Sequence, residues 1–297
     1  KLTSPQSPSM RYAAPFTALS LFAAPLAAQT SVAGHIALGD STRTTLHSEQ
    51  ALRHYEAAVA AIQQEIGTQL EAIAGVHLAN PLYCEAYWKA AREIADVAKQ
   101  LLGDSLKQRR DSLYSLGRTW AEAAIRADST VANAHFALAL VLGRLSRTRG
   151  GKERVRFAKI IYDEALRAVQ IDPRHDGAYH ILGIWNAEVK RLSGLTRFFA
   201  KALFGAGFMD RATWDSAVVN MEHAVALAPQ HVYHRLELAG VYLDIGQPAK
   251  ATEQLQALAG LPVGDPMDPY YQRVATDALA DLGRGKADDA KDRLRKG

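Results

Sequence analysis

The chain has 297 residues, of which 48% are hydrophobic and 8% aromatic, and its formal net charge is +4. This length and apolar content suffice for a buried core, in which alanine must supply much of the surface because large side chains are few. The 35 Lys and Arg residues are nearly balanced by 31 Asp and Glu residues, so the charge does not indicate nucleic-acid binding. Scarce β-branched and aromatic residues favour helices over strands.

The N-terminal region has the pattern of an export signal. Met10 and Arg11 precede an apolar run at 13–28 that is short for a membrane span and ends in the small residues Ala27 and Ala28. We therefore expect a periplasmic or secreted protein, with a retained N-terminal segment that holds the protein at the membrane as the alternative. The predicted divisions are an upstream extension at 1–9, a signal peptide at 10–28 and a flexible leader at 29–45.

The single cysteine, Cys84, excludes an intramolecular disulfide, so packing must stabilise the fold. Its apolar, helical surroundings predict a small buried side chain rather than a reactive thiol. Beyond the signal, the sequence contains no apolar run long enough to cross a membrane.

An internal repeat runs from residue 46 to residue 282. Apolar residues recur there at spacings of three and four, and short turns with Gly, Pro or Asp interrupt them. Ala251 and Leu255 follow Ala217 and Met221 by thirty-four residues, which is the period of a tetratricopeptide repeat. Further copies of the two helix patterns begin at Ala51, Tyr55 and Ala58; at Tyr87, Ala90 and Ala91; at His135, Leu138 and Ala139; at Tyr179, Leu182 and Gly183; and at Leu238, Ala239 and Tyr242.

These copies resemble tetratricopeptide proteins, and they predict an all-α fold. We expect a right-handed α-solenoid of about four tetratricopeptide-like helix pairs. A helical insert is expected within 190–213, a C-terminal capping helix at 268–282 and a charged, frayed tail at 283–297.

The run from Leu182 to Gly205 carries a more specific resemblance, to the regulator of microtubule dynamics family. The matching residues are Gly183, Trp185, Leu192, Ser193, Leu203, Phe204 and Gly205. The resemblance implies a tetratricopeptide-like scaffold without an established catalytic motif. It also implies eukaryotic relatives that associate with microtubules or organelle membranes, partners that an exported chain would not meet.

Motifs for catalysis or metal binding are missing from the sequence. Gly150, Gly151 and Lys152 lack the other residues of a nucleotide-binding loop, and there is no nucleophile elbow, zinc-cysteine pair or HExxH motif. We therefore expect no enzyme activity, no catalytic residue and no cofactor. Two groups of histidines lie close together in the sequence, but no further ligand completes either set, so we predict no metal site. The groups are His223, His231 and His234, and His175 and His180 with Asp176.

Basic residues concentrate in two stretches that together form a predicted basic patch. The first stretch could dock phosphate, anionic lipid or an acidic protein, or it could simply be solvated. The second surrounds Phe198 and Phe199, and could meet a membrane surface or bury the aromatic rings. The predicted patch comprises Arg144, Arg147, Arg149, Lys152, Arg154, Arg156, Lys159, Lys190, Arg191, Arg197 and Lys201.

The first helix of each pair lines the inner groove of such a solenoid. Its outward-pointing residues mix apolar and charged groups, as binding of a peptide or helix requires. The predicted groove comprises Trp88, Arg92, Phe136, Leu140, Arg144, His180, Ile184, Glu188, Tyr233, Leu236 and Asp244. We therefore predict a non-catalytic scaffold or adaptor that binds a peptide, a helix or a membrane-complex subunit. The alternative is a structural subunit of a membrane-associated assembly, docked through its basic inserts on an anionic surface.

Overall fold

The computed structural model describes residues 31–70 and 80–296, which contain helices, turns and no strand. The predicted upstream extension and signal peptide lie outside these residues. Two short 3-10 helices occupy Asp104–Leu106 and Ala206–Arg211. The α-helices are α1 Val32–Thr44, α2 Ser48–Leu70, α3 Pro81–Gln100, α4 Lys107–Ala127, α5 Ala132–Ser146, α6 Gly151–Ile171, α7 Asp176–Arg191, α8 Gly194–Phe204, α9 Trp214–Leu227, α10 Val232–Asp244, α11 Pro248–Ala259, α12 Asp268–Gly283 and α13 Ala287–Lys296.

Neighbouring helices pack as pairs: α1 with α2, α3 with α4, α5 with α6, α7 with α9, α10 with α11, and α12 with α13. The described residues thus form an α-solenoid of six pairs, which confirms the fold class and exceeds the four pairs predicted. The predicted insert contains α8, which packs on α6. The predicted capping helix is α12, which packs against α10 and α11.

Both ends of the repeat region differ from the prediction. Most of the proposed flexible leader is α1, because Val32 and Ile36 bury their side chains in a cluster with residues of α2 and α3. The proposed frayed tail contains α13, because Ala290 and Leu294 are buried against the C-terminal core. Two apolar residues four positions apart suffice for one buried helix face, although they stand out little from a polar sequence.

The repeat residues occupy the interfaces within the pairs. Ala217, Met221, Ala251 and Leu255 are all fully buried, as their spacing predicts. Gly183 lets α7 and α9 approach closely, since a Cβ atom there would lie 2.5 Å from the Met221 Cγ atom and 3.1 Å from its backbone nitrogen.

The family-like run builds the insert. The Trp185 indole donates a hydrogen bond to the Ala158 carbonyl at 2.7 Å, which joins α7 to α6. Ser193 caps the start of α8 by accepting a hydrogen bond from the Thr196 backbone, and Gly205 ends α8 with a φ of 68°. These residues therefore shape the insert.

Cys84 is buried, and burial raises the pKa of its thiol to about 11. The thiolate is the reactive form of cysteine, so a thiol with this pKa is largely unreactive near neutral pH.

The inner side of the solenoid follows from contacts between successive pairs. Each first helix packs against the next first helix, in the order α1, α3, α5, α7, α10 and α12. Within the described residues, successive second helices make no comparable contact, so the stack curves with the first helices inside. In the same part of the chain, no helix is long and apolar enough to span a membrane.

Candidate functional site

Side chains from five first helices meet on the inner face and form what we call the inner-face cluster. Helix α3 contributes a tryptophan and an arginine, α5 a phenylalanine and an arginine, and α7, α10 and α12 contribute histidine and tyrosine rings. The members are Trp88, Arg92, Phe136, Arg144, His175, His180, Tyr233 and Tyr271.

One half of the cluster surrounds Arg92. The Arg92 guanidinium carbon lies 4.9 Å from the centre of the Trp88 ring, which is within the range of a cation–π contact. The rings of Phe136 and His175 lie 4.6 Å apart. Burial, together with the nearby charge of Arg92, lowers the pKa of His175, although two aspartates oppose this shift. These side chains therefore lie near one another on the inner face.

The other half surrounds Arg144. Its guanidinium carbon lies 5.3 Å from the centre of the Tyr233 ring, which in turn lies 4.8 Å from the ring of Tyr271. His180 approaches Tyr233 from α7, with 5.2 Å between the ring centres. Aromatic faces thus hold this arginine in place.

Neither arginine of the cluster forms an ion pair with a residue that the structure describes, and the Nε atom of Arg92 has no hydrogen-bond acceptor there. By contrast, Arg43 pairs with Glu93 and with Asp96. Burial and the neighbouring charge of Arg43 lower the pKa of Arg92. The positive charge of Arg92 is therefore poorly compensated within the described residues.

Three histidines meet beside this cluster at the α7–α10 contact. The rings of His231 and His234 stack at 3.9 Å, and His180 lies 4.7 Å from His234. Nε2 of His234 lies 2.9 Å from Oδ2 of Asp176 and donates to it, since an ionised carboxylate can only accept. Burial is the largest single influence and opposes ionisation of Asp176, but the hydrogen bond from His234 and the attraction of the nearby histidines together outweigh it and lower the Asp176 pKa.

Acidification should destabilise the fold through His180. Burial, and then the charges of His234, His231 and Arg144, hold the pKa of His180 well below its usual value. In the unfolded chain a histidine has a pKa of about 6.5, so below that pH the unfolded chain binds more protons than the folded chain. The stability contributed by neutral His180 is therefore complete above about pH 6.5 and is lost as the pH falls toward the depressed folded pKa.

The measurement is the melting temperature at steps from about pH 7.5 to 5, for the wild type and for H180N. We expect the wild type to lose several more degrees across this range than H180N loses. The exposed His47 supplies the control, because H47N should follow the wild type. Equal losses in wild type and H180N would contradict the assignment.

The structure brings together only some of the predicted groove residues. Arg92, Phe136, Arg144, His180 and Tyr233 lie in the inner-face cluster and stay partly exposed, whereas Trp88 is buried under Arg92. Leu140 and Ile184 are partly buried against the core, and Glu188 is exposed beside Arg191.

Two predicted groove residues are inaccessible to a partner. Leu236 is buried in the C-terminal core, because its position on α10 faces the pair interface. The side chain of Asp244 is only 2% exposed, because Arg191, Lys291 and Arg295 surround it.

Lys99 and Tyr271 also belong to this region, and the sequence reasoning missed them. It considered His175 and His231 only as metal ligands and did not assign them to the groove. Nζ of Lys99 reaches Oδ2 of Asp265 at 2.6 Å, which connects α3 to the loop before α12. Lys99 was detectable, since it continues the helical stripe of Trp88 and Arg92. Tyr271 was not, because the pattern marked α12 only as a cap.

The predicted basic patch is divided in the structure. Arg144 lies in the inner-face cluster, and Arg191 pairs with Asp244. Arg149 pairs with Asp111 and Glu153, Lys159 with Asp163, and Lys201 with Asp210. The remaining members form no ion pair among the described residues. Arg147, Lys152, Arg154 and Arg156 are exposed, and Lys190 and Arg197 are partly so.

No group of three potential metal-ligating side chains gathers within the described residues. The ring of His223, from the first predicted histidine group, packs on Tyr179 at 4.2 Å. His180, His231 and His234 do lie together, but they contact one another ring to ring and do not surround a common point.

Comparison with known proteins identifies related chains. The family model described as Regulator of microtubule dynamics protein 1-3 matches residues 62–283. Regulator of microtubule dynamics protein 3 of Xenopus laevis is 30% identical over 179 residues, which cover 60% of this chain and 38% of that protein. Regulator of microtubule dynamics protein 1 of Bos taurus is 27% identical over 196 residues, covering 66% and 61%. The match thus spans less than two thirds of either relative.

The fold is similar to that of a solved structure, a thermophilic TPR protein of Thermus thermophilus. The TM-score is 0.54 at 17% identity, and the match covers 84% of this chain and all of that one. At this identity the likeness shows a tetratricopeptide-type fold and no more.

Proposed function

Because the chain belongs to the regulator of microtubule dynamics family, we propose that it is a non-catalytic scaffold that binds a protein partner on its inner face. The observation that carries this proposal is the inner-face cluster. It combines partly exposed aromatic rings with two arginines that lack ion pairs, a composition enriched where proteins bind one another. The names of the relatives point to microtubules, but the chain matches only part of those proteins.

We further propose export to the periplasm or beyond, on the basis of the signal-like segment at 10–28. N-terminal sequencing of the mature protein provides the test. A sequence that begins near Gln29 is the expected result, and a mature chain that still contains Met10 would contradict cleavage.

The partner-binding proposal is tested by affinity capture from a cell-envelope extract. The wild type is compared with F136A, which removes a ring from the inner-face cluster, and with R154Q, which changes an exposed residue of α6. We expect the wild type and R154Q to retain one protein that F136A loses, at equal melting temperatures. Retention of the same proteins by all three variants would contradict binding at the inner face.

A second candidate function is docking of a membrane-associated assembly through α8. Leu195 and Phe198 are 67% and 63% exposed on this helix, beside Arg197. The side chain of Phe199 lies outside the described part. Apolar side chains next to basic ones suit an anionic lipid surface. Flotation with phosphatidylserine vesicles tests the idea: binding at low salt that L195S abolishes would support it, and no flotation would remove it.

A further inference from the structure

The two arginines of the inner-face cluster differ from Arg43 and Arg191 in forming no ion pair with a carboxylate of the described residues. Arg43 and Arg191 are similarly placed between helices, and each has two carboxylate partners. Arg92 and Arg144 instead lie over the rings of Trp88 and Tyr233. Burial and the charge of Arg43 disfavour the charged form of Arg92 and lower its pKa. For Arg144, burial acts in the same direction, but the neighbouring tyrosines and Glu237 outweigh it and raise the pKa.

The carboxylates near these arginines already have other partners. Near Arg92, Glu93 pairs with Arg43, and Asp96 bridges Arg43 and Lys99. Near Arg144, Glu237 accepts a hydrogen bond from the Tyr233 hydroxyl at 2.6 Å. In the structure none of these carboxylates lies within ion-pair distance of Arg92 or Arg144, although the Oε1 atom of Glu93 also lacks a hydrogen-bond partner among the described residues.

The geometry also leaves the arginines ready to bind. A guanidinium that lies over an aromatic face has its N–H groups in the plane of the fork, where they remain available to an acceptor. The Nε atom of Arg92 and the Nδ1 atom of His180 both lack hydrogen-bond partners within the described chain. A guanidinium matches a carboxylate, which can accept two parallel hydrogen bonds from one arginine.

We propose that the inner face recognises an acidic peptide segment of the partner, whose carboxylates bind to the guanidinium groups of Arg92 and Arg144. This inference rests on the proposed scaffold function and specifies the chemistry of its partner. Trp88 and Tyr233 orient the two arginines, and the partly exposed ring of Phe136 contacts the apolar parts of the peptide.

Calorimetric titration with four probes tests the proposal. The first is hexaglutamate blocked at both ends, which carries side-chain carboxylates only. The second is hexaglutamine with a free C-terminus, which carries one terminal carboxylate. The third is fully blocked hexaglutamine, which carries none, and the fourth is inorganic phosphate. We expect hexaglutamate to bind about tenfold or more tightly than either hexaglutamine peptide, with an affinity that falls as salt is raised.

The variants R92Q and R144Q should each weaken hexaglutamate binding about tenfold, whereas R154Q, on the exposed part of α6, should leave it unchanged. R92K retains the charge but not the fork, and should bind with intermediate affinity. Without peptide, R92Q should melt at the wild-type temperature or above, because no ion pair is lost. A merely structural arginine would instead lower the melting temperature on substitution.

Three results would overturn the proposal: equal binding of hexaglutamate and blocked hexaglutamine, equal weakening by R92Q and R154Q, or binding of phosphate as tight as that of hexaglutamate. Preference for the free C-terminus would be a fourth such result, because it would reassign the site to terminal carboxylates. If none of these peptides binds but F136A still loses a captured protein, the scaffold function is supported and only the proposed specificity for acidic segments is rejected.

Discussion

Replacing Gly183 with valine should lower the free energy of unfolding by about 3 kcal/mol, the upper part of the range for overpacked cores. The added Cβ atom would lie 2.5 Å from Cγ and 2.8 Å from Sδ of Met221, and 3.1 Å from the Met221 backbone nitrogen. Met221 is fully buried and cannot swing away, so α7 and α9 must separate. Urea denaturation followed by circular dichroism at 222 nm measures the change.

Gly143, in α5, supplies the matched control. A Cβ atom at Gly143 would meet no other atom within 4 Å. G143A should therefore raise the free energy of unfolding by about 0.5–1 kcal/mol, since alanine is the better helix former. A destabilisation of G143A as large as that of G183V would show that contact with Met221 is not the cause.

Substitution of Asp244 by alanine should cost about 3–5 kcal/mol of stability, as expected when one partner of a buried ion pair is removed. The Asp244 carboxylate bonds to Arg191 and Arg295 at 2.6 Å each and lies 3.3 Å from Lys291. Its removal leaves three cations together and breaks the ion pairs between α10 and α13, so that, among the described residues, only apolar packing joins these helices. Melting temperature and proteolysis of the C-terminal helix provide the measurements.

Asp163 serves as the comparison for Asp244, because it pairs with Lys159 on the surface with both side chains about half exposed. D163A should change stability by less than about 0.5 kcal/mol. Should D244A be as mild as D163A, the cluster around Asp244 would be a surface arrangement without a stabilising role.

The periodic part of the fold was predictable because each buried residue recurs at helical spacing. Ala217, Met221 and Ala251 appear in the sequence as one face, and the structure buries that face. Helices α1 and α13 were not predictable in this way, since each buries only two or three apolar residues within a polar sequence. Their burial depends on a neighbouring helix that is distant from any local pattern.

The candidate site was predictable one helix at a time and not as a cluster. Helical geometry placed Arg92, Phe136 and Tyr233 on the inner stripe of their helices. It could not place Asp244, since the three cations around this residue come from α7 and α13. Nor could spacing reveal that Arg144 lies on an aromatic ring, because that contact depends on the curvature of the whole stack.

The bond between Lys99 and Asp265 has a consequence for how this solenoid unfolds. In a linear array, every repeat couples only to its nearest neighbours, so the ends can melt independently. Here, an ion pair at 2.6 Å connects the second helix pair to the loop that enters the sixth. Fraying of the C-terminal pair therefore breaks this contact with α3, which costs free energy. The ion pair thus makes the unfolding of two units that are far apart in the chain more cooperative.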